Sequence, residues 1–103
     1  GIIEKVDNSI SDKYFEARPR ASKIGAWASA QSQQLENREE LEDRIKLYEN
    51  KFLNKTIPRP PHWGGYCLNP NKMEFWQGRP SRLHDRILYE KEASSWKKSR
   101  LSP

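Results

Sequence analysis

The chain has 103 residues, 34% hydrophobic and 32% charged, with a formal net charge of +5 and a mean hydropathy of −1.08. That is one domain at most, and a domain this small buries roughly 65% of its unfolded surface at best, so the core is expected to be completed against another chain or a missing segment. Disorder is excluded by four Trp, four Tyr and three Phe, because each buried ring removes a large apolar area from water. No stretch is long or apolar enough for a signal peptide or a membrane span. Cys67 is the only cysteine, which rules out an internal disulfide, fits a reducing, cytoplasmic setting, and reads as a small half-buried side chain. A positive charge suits nucleic acid, an anionic membrane or a phosphorylated small molecule. Here the bases are interleaved with acids and form no continuous run, so a clustered phosphate site fits better than nucleic acid or a membrane.

In chain order, Gly1 to Asp7 reads as a strand end. Gly1 in place of Met, with Ile2-Ile3 starting mid-pattern, points to a piece of a longer protein. Ser11 is a candidate cap for a short helix over Asp12 to Ala17, which Arg18-Pro19 should stop. Ile24 to Ser29 is small and apolar, either a loop packed on the core or a tight helical turn. The clearest element is a helix from about Arg38 to Leu53. Asn37 and Glu40 resemble a capping box, and Leu41, Ile45, Tyr48 and Phe52 form one apolar stripe. Thr56 to His62 is proline-stiffened; a surface connection is favoured over a ligand for a polyproline-binding domain. Beyond Gly64-Gly65, four strands are expected at Tyr66–Asn69, Lys72–Gln77, Leu83–Lys91 and Trp96–Arg100, separated by turn sequences. This is an α+β fold, with an antiparallel meander behind helices.

Four constellations have chemical potential. Tyr14 and Arg18 stand at i and i+4 on one helix face, with Ser22 able to fold back beside them. A phenol, a guanidinium and a hydroxyl suit a phosphate, although an exposed helix end with ordinary polar residues is the simpler account. If Arg82 to Arg86 is a strand, then Arg82, His84 and Arg86 share one face while Leu83, Asp85 and Ile87 take the other. That row is either a solvated face or an anion site, and Asp85 among apolar neighbours suggests an ion pair. Trp76 faces away from Met73 and Phe75 and brings an indole near the basic row, useful for a flat anionic ligand but equally an ordinary core aromatic. Gln31-Ser32 is by itself a polar loop. No CxxC, HExxH, P-loop or GxGxxG motif is present, and neither His62 nor His84 has zinc-type spacing, so no metal site is expected.

The order of these signals resembles the pyridoxine/pyridoxamine 5′-phosphate oxidases over essentially the whole chain. The likeness runs through Tyr14-Phe15…Arg18-Pro19…Ser22…Ile24-Gly25-Ala26-Trp27, then Gln31-Ser32, Pro58-Arg59-Pro60…Trp63-Gly64-Gly65-Tyr66 and Glu74-Phe75-Trp76-Gln77-Gly78. It ends in Arg82-Leu83-His84-Asp85-Arg86 and the terminal Arg100-Leu101-Ser102-Pro103. The resemblance implies the C-terminal portion (1–103) of one FMN-binding split β-barrel domain, with a dimerisation region from about residue 60 to 103, working as a cytoplasmic homodimer. It implies Tyr14, Arg18 and Ser22 at the substrate phosphate, and Arg82, Leu83 and His84 against the substrate. Arg82 and His84 would be the catalytic pair, with Gln31, Ser32, Trp76 and Arg86 on FMN. The implied reaction oxidises pyridoxine or pyridoxamine 5′-phosphate to pyridoxal 5′-phosphate, with oxygen as electron acceptor and peroxide as by-product. The family's N-terminal half, including a lysine at the substrate phosphate, is not in this sequence. Three other readings remain: a phenazine-pathway oxidase, a non-catalytic module that dimerises or carries pyridoxal phosphate, and a small basic nucleic-acid binder, which a flavin spectrum or salt-sensitive nucleic-acid binding would separate.

Overall fold

The computed structural model describes residues 1–103. The chain divides into a helical unit, Lys5–Gly65, and a sheet unit, Gly1–Glu4 with Tyr66–Pro103.

In the helical unit, α1 spans Asn8–Glu16, α2 Arg20–Ala28 and α3 Arg38–Lys51. α1 starts earlier than Ser11 predicts. Asp7 is its N-cap residue, and the Asp7 carbonyl accepts from Ile10 and Ser11 N–H at 3.1 and 3.2 Å. Ser11 lies inside the helix, 4% exposed. Arg18-Pro19 does end α1, and Pro19 immediately caps α2. The stretch left open between loop and turn is thus helical, with Gly25 tolerated in its interior. α3 follows its pattern closely: Asn37 Oδ1 accepts from Glu40 N–H at 3.0 Å. The Glu40 carboxylate reaches one residue further back than a standard capping box, to Glu36 N–H at 3.0 Å.

Phe15, Ile24, Phe52 and Ile57 make the core of this unit, with Trp27, Ile45, Tyr48 and Trp63 packed against them. Trp27 lies 5.4 Å from Phe52 and 5.8 Å from Tyr48, ring centre to centre. Its indole N–H donates to the Pro58 carbonyl at 2.7 Å. Arg20 caps the C-terminal end of α3 by donating to the Phe52 and Lys55 carbonyls at 2.6 and 3.0 Å, where the helix dipole is negative. The proline-rich segment is a surface connection as expected, with Thr56, Pro58, Pro61 and His62 exposed, but two of its side chains turn inward. Ile57 is 4% exposed and Pro60 less than 2%, so the segment supplies core side chains, its extended backbone presenting them without helical structure.

In the sheet unit, β1 (Ile2–Lys5) pairs with β2 (Tyr66–Asn69), and β3 (Lys72–Gln77), β4 (Asp85–Glu92) and β5 (Ser95–Leu101) form a separate antiparallel meander. The expected four-strand meander is corrected to three, because the edge of β2 is taken by β1. Gly1 is needed at that edge: a Cβ there would fall 2.7 Å from the Asn69 carbonyl oxygen. Within the meander, Trp76 sits opposite Arg86 and Phe75 opposite Ile87, so the two aromatics face opposite sides as their alternation predicts. The Asp85 ion pair is present, Arg100 Nε to Oδ1 at 2.9 Å.

Strand β4 begins at Asp85, not Leu83, and the basic row changes with it. Pro80–Arg82 is a short 3-10 turn, and Ser81 and Arg82 have φ of 61° and 60°. Arg82 and His84 therefore do not alternate with Arg86 along a strand; the left-handed pair turns the backbone before pairing starts. Cys67 is exposed rather than half-buried. No helix is long and apolar enough to cross a membrane.

Candidate functional site

In the helical unit, Tyr14 projects from α1 and Arg18 from the α1–α2 junction, and both meet Trp63. The Tyr14 and Trp63 rings are nearly parallel, 15° apart, with centres separated by 6.0 Å. The Arg18 guanidinium carbon lies 5.6 Å from the Trp63 ring centre, within cation–π range. Ser22 occupies the first turn of α2, where its N–H donates to the Pro19 carbonyl at 3.0 Å. Tyr14 remains 66% exposed, so its hydroxyl is available to a ligand. Beside Tyr14 and Trp63 an apolar cleft of roughly 240 Å³ is lined also by Val6, Ile10 and Ser11.

Gln31 and Ser32 follow α2. Gln31 lines an open cavity of roughly 630 Å³ together with Trp27, Tyr48, Arg44 and His62. Ser32 adopts a φ of 65°. On the cavity wall, His62 Nε2 lies 3.0 Å from the Ala26 carbonyl oxygen, so that nitrogen carries a proton.

In the sheet unit a second cluster forms around the β3–β4 connection. The Trp76 indole, 58% exposed, lies 4.7 Å from the His84 imidazole, centre to centre. Gly78 leaves room for it, since a Cβ there would stand 3.3 Å from the indole. His84 Nδ1 accepts the Arg79 N–H at 3.1 Å, which leaves Nε2 as the proton-bearing nitrogen of the neutral ring. Arg82 and Leu83 are exposed. Two successive non-glycine residues in the left-handed region cost on the order of 1–2 kcal/mol each, a strain that fixes where Arg82 leaves the backbone. Arg86 is braced, donating from Nη2 and Nε to Glu74 Oε1 at 2.6 and 3.2 Å and from Nη1 to the Ser102 carbonyl at 2.9 Å. Three of its five N–H donors are thereby engaged.

The structure thus brings Tyr14 and Arg18 together in one unit, and Trp76 with both His84 and Arg86 in the other. Trp63 is the residue to which sequence reasoning, quoting it only within the family motif, gave no role. Its signal was an aromatic beside Gly64-Gly65, too ordinary to separate from core packing.

The whole chain shares its fold with half of PhzG from Burkholderia lata 383, solved in complex with tetrahydrophenazine-1-carboxylic acid. The TM-score is 0.86 and the identity 35%, covering 100% of this chain and 50% of that one. This is the α+β, split-barrel class that the motifs implied. Residues 63–103 match the family described as the pyridoxine 5′-phosphate oxidase C-terminal dimerisation region. Curated relatives named pyridoxine/pyridoxamine 5′-phosphate oxidase include those of Synechocystis sp., 52% identical over 103 residues, and Polynucleobacter asymbioticus, 56% identical over 103 residues. Each match covers 100% of this chain and 48% of the relative. The chain therefore spans about half the length of the curated relatives it matches, and from end to end it is similar to the C-terminal half of the pyridoxine/pyridoxamine 5′-phosphate oxidases.

Proposed function

We propose that this sequence serves, in the complete protein, an FMN-dependent oxidase that converts pyridoxine or pyridoxamine 5′-phosphate to pyridoxal 5′-phosphate with oxygen as electron acceptor. The observation that carries the reading is the meeting of Tyr14 and Arg18 on Trp63. A phenol and a guanidinium form a donor set for a phosphate monoester. Identity of 52% and 56% to the vitamin B6 oxidases, against 35% to PhzG, favours this reaction over the phenazine-pathway alternative.

In this reading Tyr14, Arg18 and Ser22 hold the substrate phosphate, and Arg82, with Leu83 and His84 beside it, meets the pyridine end. Fixing a charged group at one end of a flat molecule restricts its orientation at the other, and that restriction lowers the barrier without requiring a strong base. His84 is pre-oriented by Arg79 N–H, so its Nε2–H serves as a hydrogen-bond donor to a ring substituent.

The donor chemistry fits a flavin mononucleotide: the amide of Gln31, the hydroxyl of Ser32, the indole of Trp76 and the remaining N–H groups of Arg86 would hold it. Bound there, FMN would supply the two-electron redox chemistry between substrate and oxygen, which none of these side chains can supply. A homodimer is proposed with it, supported by the match to a dimerisation region and by the exposure of Phe75 (58%) and Trp96 (38%) on the meander. The residual alternative is a module that dimerises or carries pyridoxal phosphate without turnover.

The test is a product assay on the complete, flavin-loaded protein. Stoichiometric pyridoxal 5′-phosphate and peroxide from pyridoxine 5′-phosphate are expected. Flavin bound without product formation would leave the non-catalytic reading standing instead.

A further inference from the structure

We propose that Trp63 is a positioning residue of the phosphate site: its indole is a fixed platform that orders the Tyr14 phenol and the Arg18 guanidinium before substrate arrives. The proposal rests on the reading that these two side chains bind the substrate phosphate.

Three observations carry it. First, Trp63 itself is held. Its carbonyl accepts from Arg59 Nη1, and its N–H donates to the Pro60 carbonyl at 3.0 Å. Phe15, 2% exposed, meets the indole edge-on with ring centres 5.2 Å apart. Second, Arg59 ties that segment to the helix bearing Tyr14. Its Nε donates to Asp12 Oδ1 at 2.7 Å and its Nη2 to Asn8 Oδ1 at 3.2 Å, Asn8 and Asp12 being one turn apart on α1. The Arg59 side chain is only 12% exposed, so this guanidinium is a built-in clamp and not a free surface charge. Third, the two ligand-facing groups have no comparable anchor of their own. Tyr14 is 66% exposed, and Arg18 follows the end of α1 on a long flexible stem. Stacking on a rigid indole selects one orientation of each, so less side-chain freedom remains to be lost on binding. A phosphate then meets a preformed pair of donors.

A residue that only filled the core would affect stability and turnover without a preference for the phosphate. Trp63→Leu, made in the complete, flavin-loaded protein, separates the two. The readouts are KM and kcat for pyridoxine 5′-phosphate, and the inhibition constant of inorganic phosphate as a competitor. KM and the phosphate inhibition constant are expected to rise together by about tenfold while kcat falls by less than about threefold, and Trp63→Phe should recover most of the loss. A fall in kcat with KM and the inhibition constant unchanged overturns the proposal. Should Trp63→Leu not fold, Asp12→Asn decides: loosening the Arg59 clamp is expected to raise both constants by about threefold, and unchanged constants overturn the proposal. Arg18→Ala is measured alongside. If it leaves both constants unchanged, the phosphate reading falls and the role of Trp63 falls with it. If it raises them while Trp63→Leu does not, only the role of Trp63 is overturned.

Discussion

In the helical unit the rings of Phe15, Trp27, Tyr48 and Phe52 close on one another and on Trp63, with Phe15 2% and Phe52 7% exposed. In the sheet unit Tyr66, Phe75, Trp76 and Trp96 stand 72, 58, 58 and 38% exposed, and only Leu88 is a buried hydrophobic. The contrast has a simple physical origin. Three helices and a proline-rich segment that buries Ile57 and Pro60 can surround a core, whereas a three-stranded meander has two faces and no layer of its own to cover either. The rings of the helical unit thus build its core, apart from Tyr14 and the Trp63 on which it stacks, while Tyr66, Phe75, Trp76 and Trp96 of the sheet unit are available for partners and ligands. The same division explains the low hydrophobic content: the chain completes one core and presents a second apolar surface uncovered.

Substitutions that act on one unit and spare the other test this division. The largest effect is expected from Phe15→Ala, which removes a ring from the closed core and should cost about 3–5 kcal/mol in a denaturant titration. If Phe75→Ala cost as much, the contrast between the units would fail. Next comes Arg82→Ala in the complete protein, expected to lower kcat about 100-fold with flavin content retained. Loss of flavin with normal turnover of the remaining holoenzyme would reassign Arg82 to cofactor retention. On the proposed dimer, Phe75→Asp should weaken self-association by about 2 kcal/mol in sedimentation equilibrium, while the far-ultraviolet spectrum stays unchanged. The smallest effect is at the β4–β5 turn, where Ala93 has a φ of 52°. Ala93→Gly relieves that strain and should stabilise the chain by at most about 1 kcal/mol in thermal melts.

The division also tracks what was legible in the sequence. α3 could be read because its cap, Asn37 with Glu40, and its stripe from Leu41 to Phe52 are local signals with helical spacing. The strands of the meander could be read because alternation and turn residues are local too. α2 was harder: Gly25 and a run of small residues weaken helical propensity, and the helix is secured instead by Ile24 and Ala28, buried at 3% and 2%. The start of α1 was misplaced because Ser11 has the chemistry of a cap but is enclosed by neighbours distant in sequence. Arg82 and His84 were placed on a strand because nothing at Ser81-Arg82 announces a left-handed backbone; glycine or asparagine would have. Tyr14 and Arg18 were legible as a helical pair, but their platform was not. Trp63 lies 49 and 45 residues away in the chain, and Arg59, which fixes it, looked like one charge among prolines.

On the proposed function, the Tyr14–Arg18 cluster makes the complete protein selective for a phosphorylated ring. The most direct measurement compares kcat/KM for pyridoxine 5′-phosphate with that for pyridoxine, in the complete flavin-loaded protein and in its Arg18→Ala variant. A preference of at least about 1,000-fold for the phosphate ester is expected, reduced by about 100-fold or more in the variant. Comparable kcat/KM values for the two substrates, or a preference that survives loss of the guanidinium, would contradict it.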